Sequence, residues 1–228
     1  MQNENNEFTR LIFVRHGQID SNTANKMAVL DEEPLNAKGI GQVELAAQRL
    51  AREFEPNILL CSPVYRARQS AEIVSAATGL PAQELADLSE IDFGSLSGLT
   101  FPEISERFPQ KYAELRAFVE TPDQSQVERP QFPDGETYGQ ITARVQRLTQ
   151  RVLAEWPGKT LVAVAHGGII KCALMLYAGG SFSRSVPFAI DNASLSVVDF
   201  YRGKPMIRLV NDISHLGTKL KYVKTRLL

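Results

Sequence analysis

Two of the three histidines in this chain stand in the same local setting. His16 follows Leu11-Ile12-Phe13-Val14-Arg15 and precedes Gly17; His166 follows Leu161-Val162-Ala163-Val164-Ala165 and precedes Gly167-Gly168. A neutral imidazole so placed can attack phosphorus and form a phosphohistidine, which divides one difficult displacement into two easier ones. Its other ring nitrogen then needs a carbonyl to fix the tautomer. Arg15 and Arg66 add fixed charge and planar forks suited to phosphate oxygens. Nucleophile and cations together are what phosphoryl transfer requires of a protein: a group in line with the leaving oxygen and positive charge around the equatorial oxygens.

Such groups must be delivered by secondary structure. A β-branched apolar run that stops at a polar residue and then Gly reads as a buried strand ending at the carboxyl edge of a parallel sheet, where ligands bind in open α/β folds. Strands are expected over residues 10–14, 58–62 and 161–165. Asn36 is a candidate N-cap for a helix carrying Ile40, Val43, Ala47, Leu50 and Phe54, closed by Pro56. Pro63 is placed in the first turn of a helix running to about Thr78, stopped by Gly79 and Pro81. Tyr138, Ile141, Val145, Leu148 and Val152 keep helical period, Ile169 to Tyr177 forms the next helix, and 195–200 with 206–210 forms a terminal strand pair. The fold class is α/β: a three-layer sandwich with a mostly parallel central sheet flanked by helices. Residues 1–228 read as one domain. Within it, about 99–136, interrupted by Pro102, Pro109, Pro122, Pro130 and Pro133, reads as a small cap insertion with one short helix through Phe108, Tyr112, Leu115 and Phe118 or Val119.

Composition removes several function classes. Lys and Arg number 25 against 26 Asp and Glu, so no basic excess points to nucleic acid or an anionic membrane, and any bound anion must be held by local charge. The opening Met1 to Glu7 lacks a signal-peptide pattern and no apolar run reaches about 18 residues, so a cytoplasmic location is expected. Cys61 and Cys172, without CxxC spacing, are expected as buried free thiols. The three histidines lack HxH or HxxxH spacing; no metal and no cofactor is implied.

The chain resembles the histidine phosphatase superfamily, which includes the cofactor-dependent phosphoglycerate mutases and many small phosphatases. The resemblance rests on Arg15-His16-Gly17-Gln18, Asn22, Ser62-Pro63-Val64-Tyr65-Arg66, Leu88-Ser89-Glu90-Ile91-Asp92-Phe93-Gly94, Pro133-Asp134-Gly135-Glu136-Thr137, His166-Gly167-Gly168 and Asn192-Ala193-Ser194. It implies His16 as nucleophile, His166 as a second pocket histidine that donates, when charged, to the transferring phosphoryl group, and Arg15 and Arg66 as phosphate clamps. Glu90 corresponds to the family's acid and base, which protonates the departing alkoxide and then activates water. Asp87 and Asp92 are its competitors. Asn22, Gln18 and the Gly167 amide complete the substrate-binding set. Arg68 is expected at the surface and His215 in a structural role. Many relatives carry Trp-Glu-Gly where this chain has Leu96-Ser97-Gly98, and Phe93, Leu96 and Phe101 are candidates for an apolar subsite.

Three functions follow from different classes. The first is a metal-independent phosphomonoesterase acting on a small phosphorylated metabolite. Residues 99–136 hold 4 basic and 8 acidic residues, a balance that suits a monophosphate better than a phosphoglycerate. The alternatives are a phosphoglycerate mutase and a non-catalytic phosphate-ligand binding protein. A strand near Leu195, read as an exposed edge, hints at a homodimer.

Overall fold

The computed structural model describes residues 8–29, 32–121, 128–181 and 188–217. β1 (Phe8–Arg15) lies at the centre of a six-stranded sheet, pairing in parallel with β4 (Thr160–Ala165) and antiparallel with β5 (Leu195–Tyr201). With β2 (Ile58–Cys61), β3 (Ala82–Glu84) and β6 (Lys204–Asp212) the order is β3-β2-β4-β1-β5-β6, in which β5 alone among these strands runs against the rest.

The apolar runs are continuous because both faces of the central strands are covered. Leu11 and Phe13 of β1 and Leu161, Ala163 and Ala165 of β4 pack into one core with α6 (Tyr138–Glu155) and α7 (Gly167–Tyr177). Ile12, Val14, Val162 and Val164 pack into a second core with α2 (Ala37–Glu53) and α3 (Tyr65–Thr78) on the opposite face. This is the expected three-layer α/β arrangement. Asn36 caps α2, its side chain accepting from Gly39 N at 2.9 Å, an interaction typically worth ~1 kcal/mol.

Local chemistry corrects several boundaries. α2 ends at Glu53, with Phe54 as its cap and Glu55 at φ 45°, so the chain leaves the helix before Pro56. α3 begins at Tyr65, so Pro63 precedes the helix instead of lying in its first turn; Ser62 Oγ accepts from Val64 N at 3.2 Å and shapes that entry. The prolines after Leu99 start helices as well as interrupting them: α4 (Phe101–Arg107) and α5 (Pro109–Glu120) each have Pro in the first turn, where the missing N–H costs nothing. Sequence periodicity showed one helix there. It also passed over a short helix, α1 (Asp20–Ala24), and exposed β3. Leu195 does not lie on an edge, since β5 is buried between β1 and β6; β3 and β6 form the sheet's margins. Residues 1–7 and 122–127, the expected leaderless start and part of the expected cap, lie outside the described residues. No described helix is long and apolar enough to cross a membrane.

Candidate active site

Register places the two histidines together. Arg15 pairs with Ala165 across the parallel β1–β4 ladder, so the next residue on each strand is a histidine at the same sheet edge. His16 N still donates to Ala165 O at 2.9 Å, and Ser62 N, leaving β2, donates to Val164 O at 2.9 Å. The ring centroids of His16 and His166 are 5.1 Å apart at an interplanar angle of 57°. Both rings are buried.

His16 Nδ1 lies 2.7 Å from Gly17 O. A carbonyl can only accept, so Nδ1 carries the proton and Nε2 keeps its lone pair. Burial, followed by the Arg15 and Arg66 charges, holds this imidazole well below its ordinary range and therefore neutral at neutral pH. Gly17 is required by close packing: a Cβ there would run into Gly39 O. Its N–H donates to Ser70 Oγ at 3.2 Å, and Ser70 Oγ in turn donates to Arg66 O at 2.7 Å, which ties the histidine loop to the first turn of α3.

His166 is anchored from outside its own loop. Its Nε2 lies 2.8 Å from Ser62 Oγ, and its Nδ1 is buried without a hydrogen-bond partner among the described residues. Ser62 Oγ accepts from Val64 N and keeps both a proton and a second lone pair, so it can donate to Nε2 or accept from Nε2–H. Burial, with His16, Arg66 and Arg15 adding to it, holds His166 well below the ordinary imidazole range as well. In the chain alone, desolvation first, then His16 and the two guanidinia, disfavour the charge that the sequence reading assigns to His166 on the phosphoryl group. Arg15 is fixed by Nη1 donating to Ile190 O at 2.7 Å, and its Nε is buried without a hydrogen-bond partner among the described residues. Arg66 is fully buried at the second position of α3, at the positive end of that helix dipole.

Glu90 is buried at the start of α7. Its Oε1 accepts from Ile91 N at 2.9 Å and Ile169 N at 3.1 Å, and its Oε2 from Gly168 N at 3.1 Å. Gly168 makes this approach possible, since a Cβ there would meet the Glu90 carboxylate. Behind Glu90 stands a clamp for which the sequence had suggested no role. Arg144 donates from Nε to Glu136 Oε1 at 3.0 Å and from Nη2 to Glu136 Oε2 at 2.5 Å, while Nη1 reaches Ser89 O at 2.5 Å and Nη2 reaches Glu90 O at 3.4 Å. Glu136 also accepts from Asp92 N at 3.2 Å. One available signal was a charged residue inside the apolar stripe of α6, between Ile141 and Leu148.

The remaining candidates sort by partner. Asn22 Oδ1 accepts from Asn192 Nδ2 at 2.9 Å, and the same amide donates to His16 O at 3.1 Å, which brings Asn22 to the histidine loop. The Gln18 carboxamide accepts from Asn36 Nδ2 at 3.4 Å. Asp87 pairs with Arg147 and Asp92 accepts from Gly94 N, so both competitors of Glu90 are engaged elsewhere. Arg68 pairs with Glu32 near the surface, and His215 Nε2 bonds Ala193 O at 3.0 Å. Leu96 is fully buried core and Phe93 packs edge-on against Phe132. Cys61 and Cys172 are buried free thiols whose ionisation is pushed up to about 11 and about 12.

His16, His166, the buried Arg66, the half-buried Arg15 and Glu90 thus gather at the carboxyl edge of the parallel strands of an α/β sheet. The chain belongs to the histidine phosphatase superfamily, branch 1, whose family model matches residues 11–213. The bifunctional protein Rv2228c of Mycobacterium tuberculosis is 33% identical over 210 residues, 91% of this chain and 55% of that protein. The chain thus spans about 55% of the length of the first curated relatives it matches. A metal-independent phosphoserine phosphatase of Arabidopsis thaliana is 29% identical, over 93% of this chain and 85% of its own. Two solved structures share the fold: Bacillus stearothermophilus YhfR (TM-score 0.78, 24% identity, 91% of this chain and 99% of that one) and a phosphoserine phosphatase mutant of Entamoeba histolytica in complex with phosphoserine (TM-score 0.74, 24% identity, 91% and 99%).

Proposed function

We propose that this chain is a metal-independent phosphomonoesterase that hydrolyses a small phosphorylated metabolite through a phosphohistidine on His16. The observation that carries the reading is the His16 Nδ1–Gly17 O hydrogen bond, which leaves Nε2 unprotonated in a ring that burial and two cations keep neutral.

Arg15 and Arg66 clamp the phosphoryl oxygens, joined by the Gly167 amide and Asn22, while Gln18 with Asn36 orders the loop that carries them. His16 Nε2 attacks phosphorus and the P–O ester bond breaks. Glu90, protonated, gives its proton to the departing alkoxide. His166 Nδ1–H donates to an oxygen of the phosphoryl group, and a dianion there offsets the cationic repulsion that keeps this ring neutral in the chain alone. Water then attacks the phosphohistidine, Glu90 takes its proton, phosphate leaves and His16 returns to its starting form. The segment 99–136 acts as a cap on a single domain, and the site of action is cytoplasmic.

Phosphate release from an aryl phosphate, measured with a metal chelator present, tests the reading. Wild type is expected to turn over and His16→Ala to lose that activity. Full activity in His16→Ala, or activity abolished by the chelator, overturns it.

A further inference from the structure

Regular structure positions most of the site: Arg15 ends β1, His16 and His166 follow directly on β1 and β4, and Arg66 lies in α3. Glu90 has no such support. It stands in an irregular stretch, residues 89–93, between two single-turn 3-10 helices, Ala86–Leu88 and Gly94–Leu96. Its carboxylate reaches the amides that begin α7, yet those bonds aim it only as well as the backbone behind it is held. One side chain holds that backbone. A guanidinium has five N–H donors, and each of those of Arg144 has an acceptor. Nε and Nη2 donate to the Glu136 carboxylate at 3.0 and 2.5 Å. Nη1 donates to Ser89 O at 2.5 Å and Asp87 O at 3.4 Å, and the second proton of Nη2 to Glu90 O at 3.4 Å. Glu136 completes the grip, taking Asp92 N at 3.2 Å through Oε2 and giving its own N–H to Asp92 O at 2.9 Å.

Arg144 is buried on the face of α6 that also carries Ile141, Val145 and Leu148. An ion pair at such a position contributes little to stability over an apolar side chain of similar volume, because both charges are taken out of water. What an apolar residue cannot do there is bond three carbonyls of one loop at once. We infer that Arg144, clasped by Glu136, is a positioning residue for proton transfer: it fixes the backbone of residues 87–92 so that the Glu90 carboxyl meets the departing ester oxygen. The bonds of the pair run to the Glu90 segment, so its loss falls on departure of the alcohol more than on attack by His16. The inference rests on the phosphatase reading with Glu90 as its acid, and adds what aims that acid.

Phosphate release from phenyl phosphate, whose basic leaving oxygen needs a proton, and from 4-nitrophenyl phosphate, whose leaving oxygen needs far less help, is compared in wild type and variants. The ratio of kcat/KM for phenyl over 4-nitrophenyl phosphate is insensitive to any loss of folded enzyme. E90Q is expected to lower this ratio most. R144M should lower it on the order of tenfold, R144K nearly as much, since one ammonium cannot replace the fork, and E136Q less. Added to E90Q, R144M should change the ratio no further, because the acid it aims is gone. An unchanged ratio in R144M, or in E136Q where R144M does not fold, overturns the inference. So does a ratio kept in full by R144K, which would make charge and not the fork the cause, or a further fall in the double variant. If E90Q leaves the ratio unchanged, wild type releases phosphate from neither ester, or His16→Ala releases it from both, the phosphatase reading with Glu90 as acid fails instead.

Discussion

The ends of β1 and β4 are built alike and wired differently. Each strand leaves the sheet at a histidine followed by glycine, in register and with rings 5.1 Å apart. His16 is oriented by its own neighbour, Gly17 O, through Nδ1; His166 is oriented by Ser62 Oγ from the adjacent strand, through Nε2. The first anchor is an obligate acceptor and forces the proton onto Nδ1, leaving Nε2 with its lone pair, as the proposed nucleophile requires. The second is a hydroxyl that can give or accept a proton, so it orients the other imidazole without forcing its tautomer. Equivalent backbone positions thus acquire unequal chemistry from the atom at the back of the ring.

The largest effect is expected from His16→Ala, which removes the only group assigned to bond phosphorus; phosphatase turnover should fall by at least ~10³-fold. Steady-state assays of the purified variant check this. His166→Ala should cost less, about 10²- to 10³-fold in kcat, as befits loss of one buried donor to the transferring group. A larger loss than in His16→Ala would reverse the assigned roles. Ser62→Ala leaves both rings in place and removes one anchor, so a fall of roughly tenfold or less is expected. The matching control is the unchanged Nδ1–H signal of His16 by NMR; a shifted His16 signal would show that the two anchors are not independent.

Protonation gives the smallest effect. Both imidazoles are held below the value of about 6.5 that they have in an unfolded chain. The unfolded chain therefore binds more protons as pH falls below that value. Stability from these rings is complete above it and drains away toward acid. Thermal unfolding at pH 7.5 and 5.5 should show a lower Tm at pH 5.5 in wild type and a smaller decrement in His166→Gln. A wild-type Tm that rises on acidification contradicts the assignment of neutral rings.

The sheet and the histidines were readable because their signals are local: apolar runs that end at His-Gly, a capping Asn36, and helical periods over α2 and α6. The prolines after Leu99 misled because their meaning depends on position, and in the first turns of α4 and α5 they start helices. β3 was invisible since all three of its residues are exposed and carry no alternation. The Arg144–Glu136 clamp joins the start of α6 to the Glu90 loop over 54 residues of chain, a pairing that spacing alone does not reveal. The ring anchors were foreseen only for His16, where a carbonyl was required; Ser62 was seen as part of a motif and not as the partner of His166.

The difference between the two strand ends is tested most directly by trapping the phosphoenzyme. Rapid acid-free quenching during turnover, followed by phosphorus NMR and peptide mapping, should find phosphate on Nε2 of His16 in wild type. It should appear there more slowly in His166→Ala and be absent in His16→Ala. Phosphate on His166, or equal loss of the intermediate in both variants, would contradict the division of roles between the two histidines.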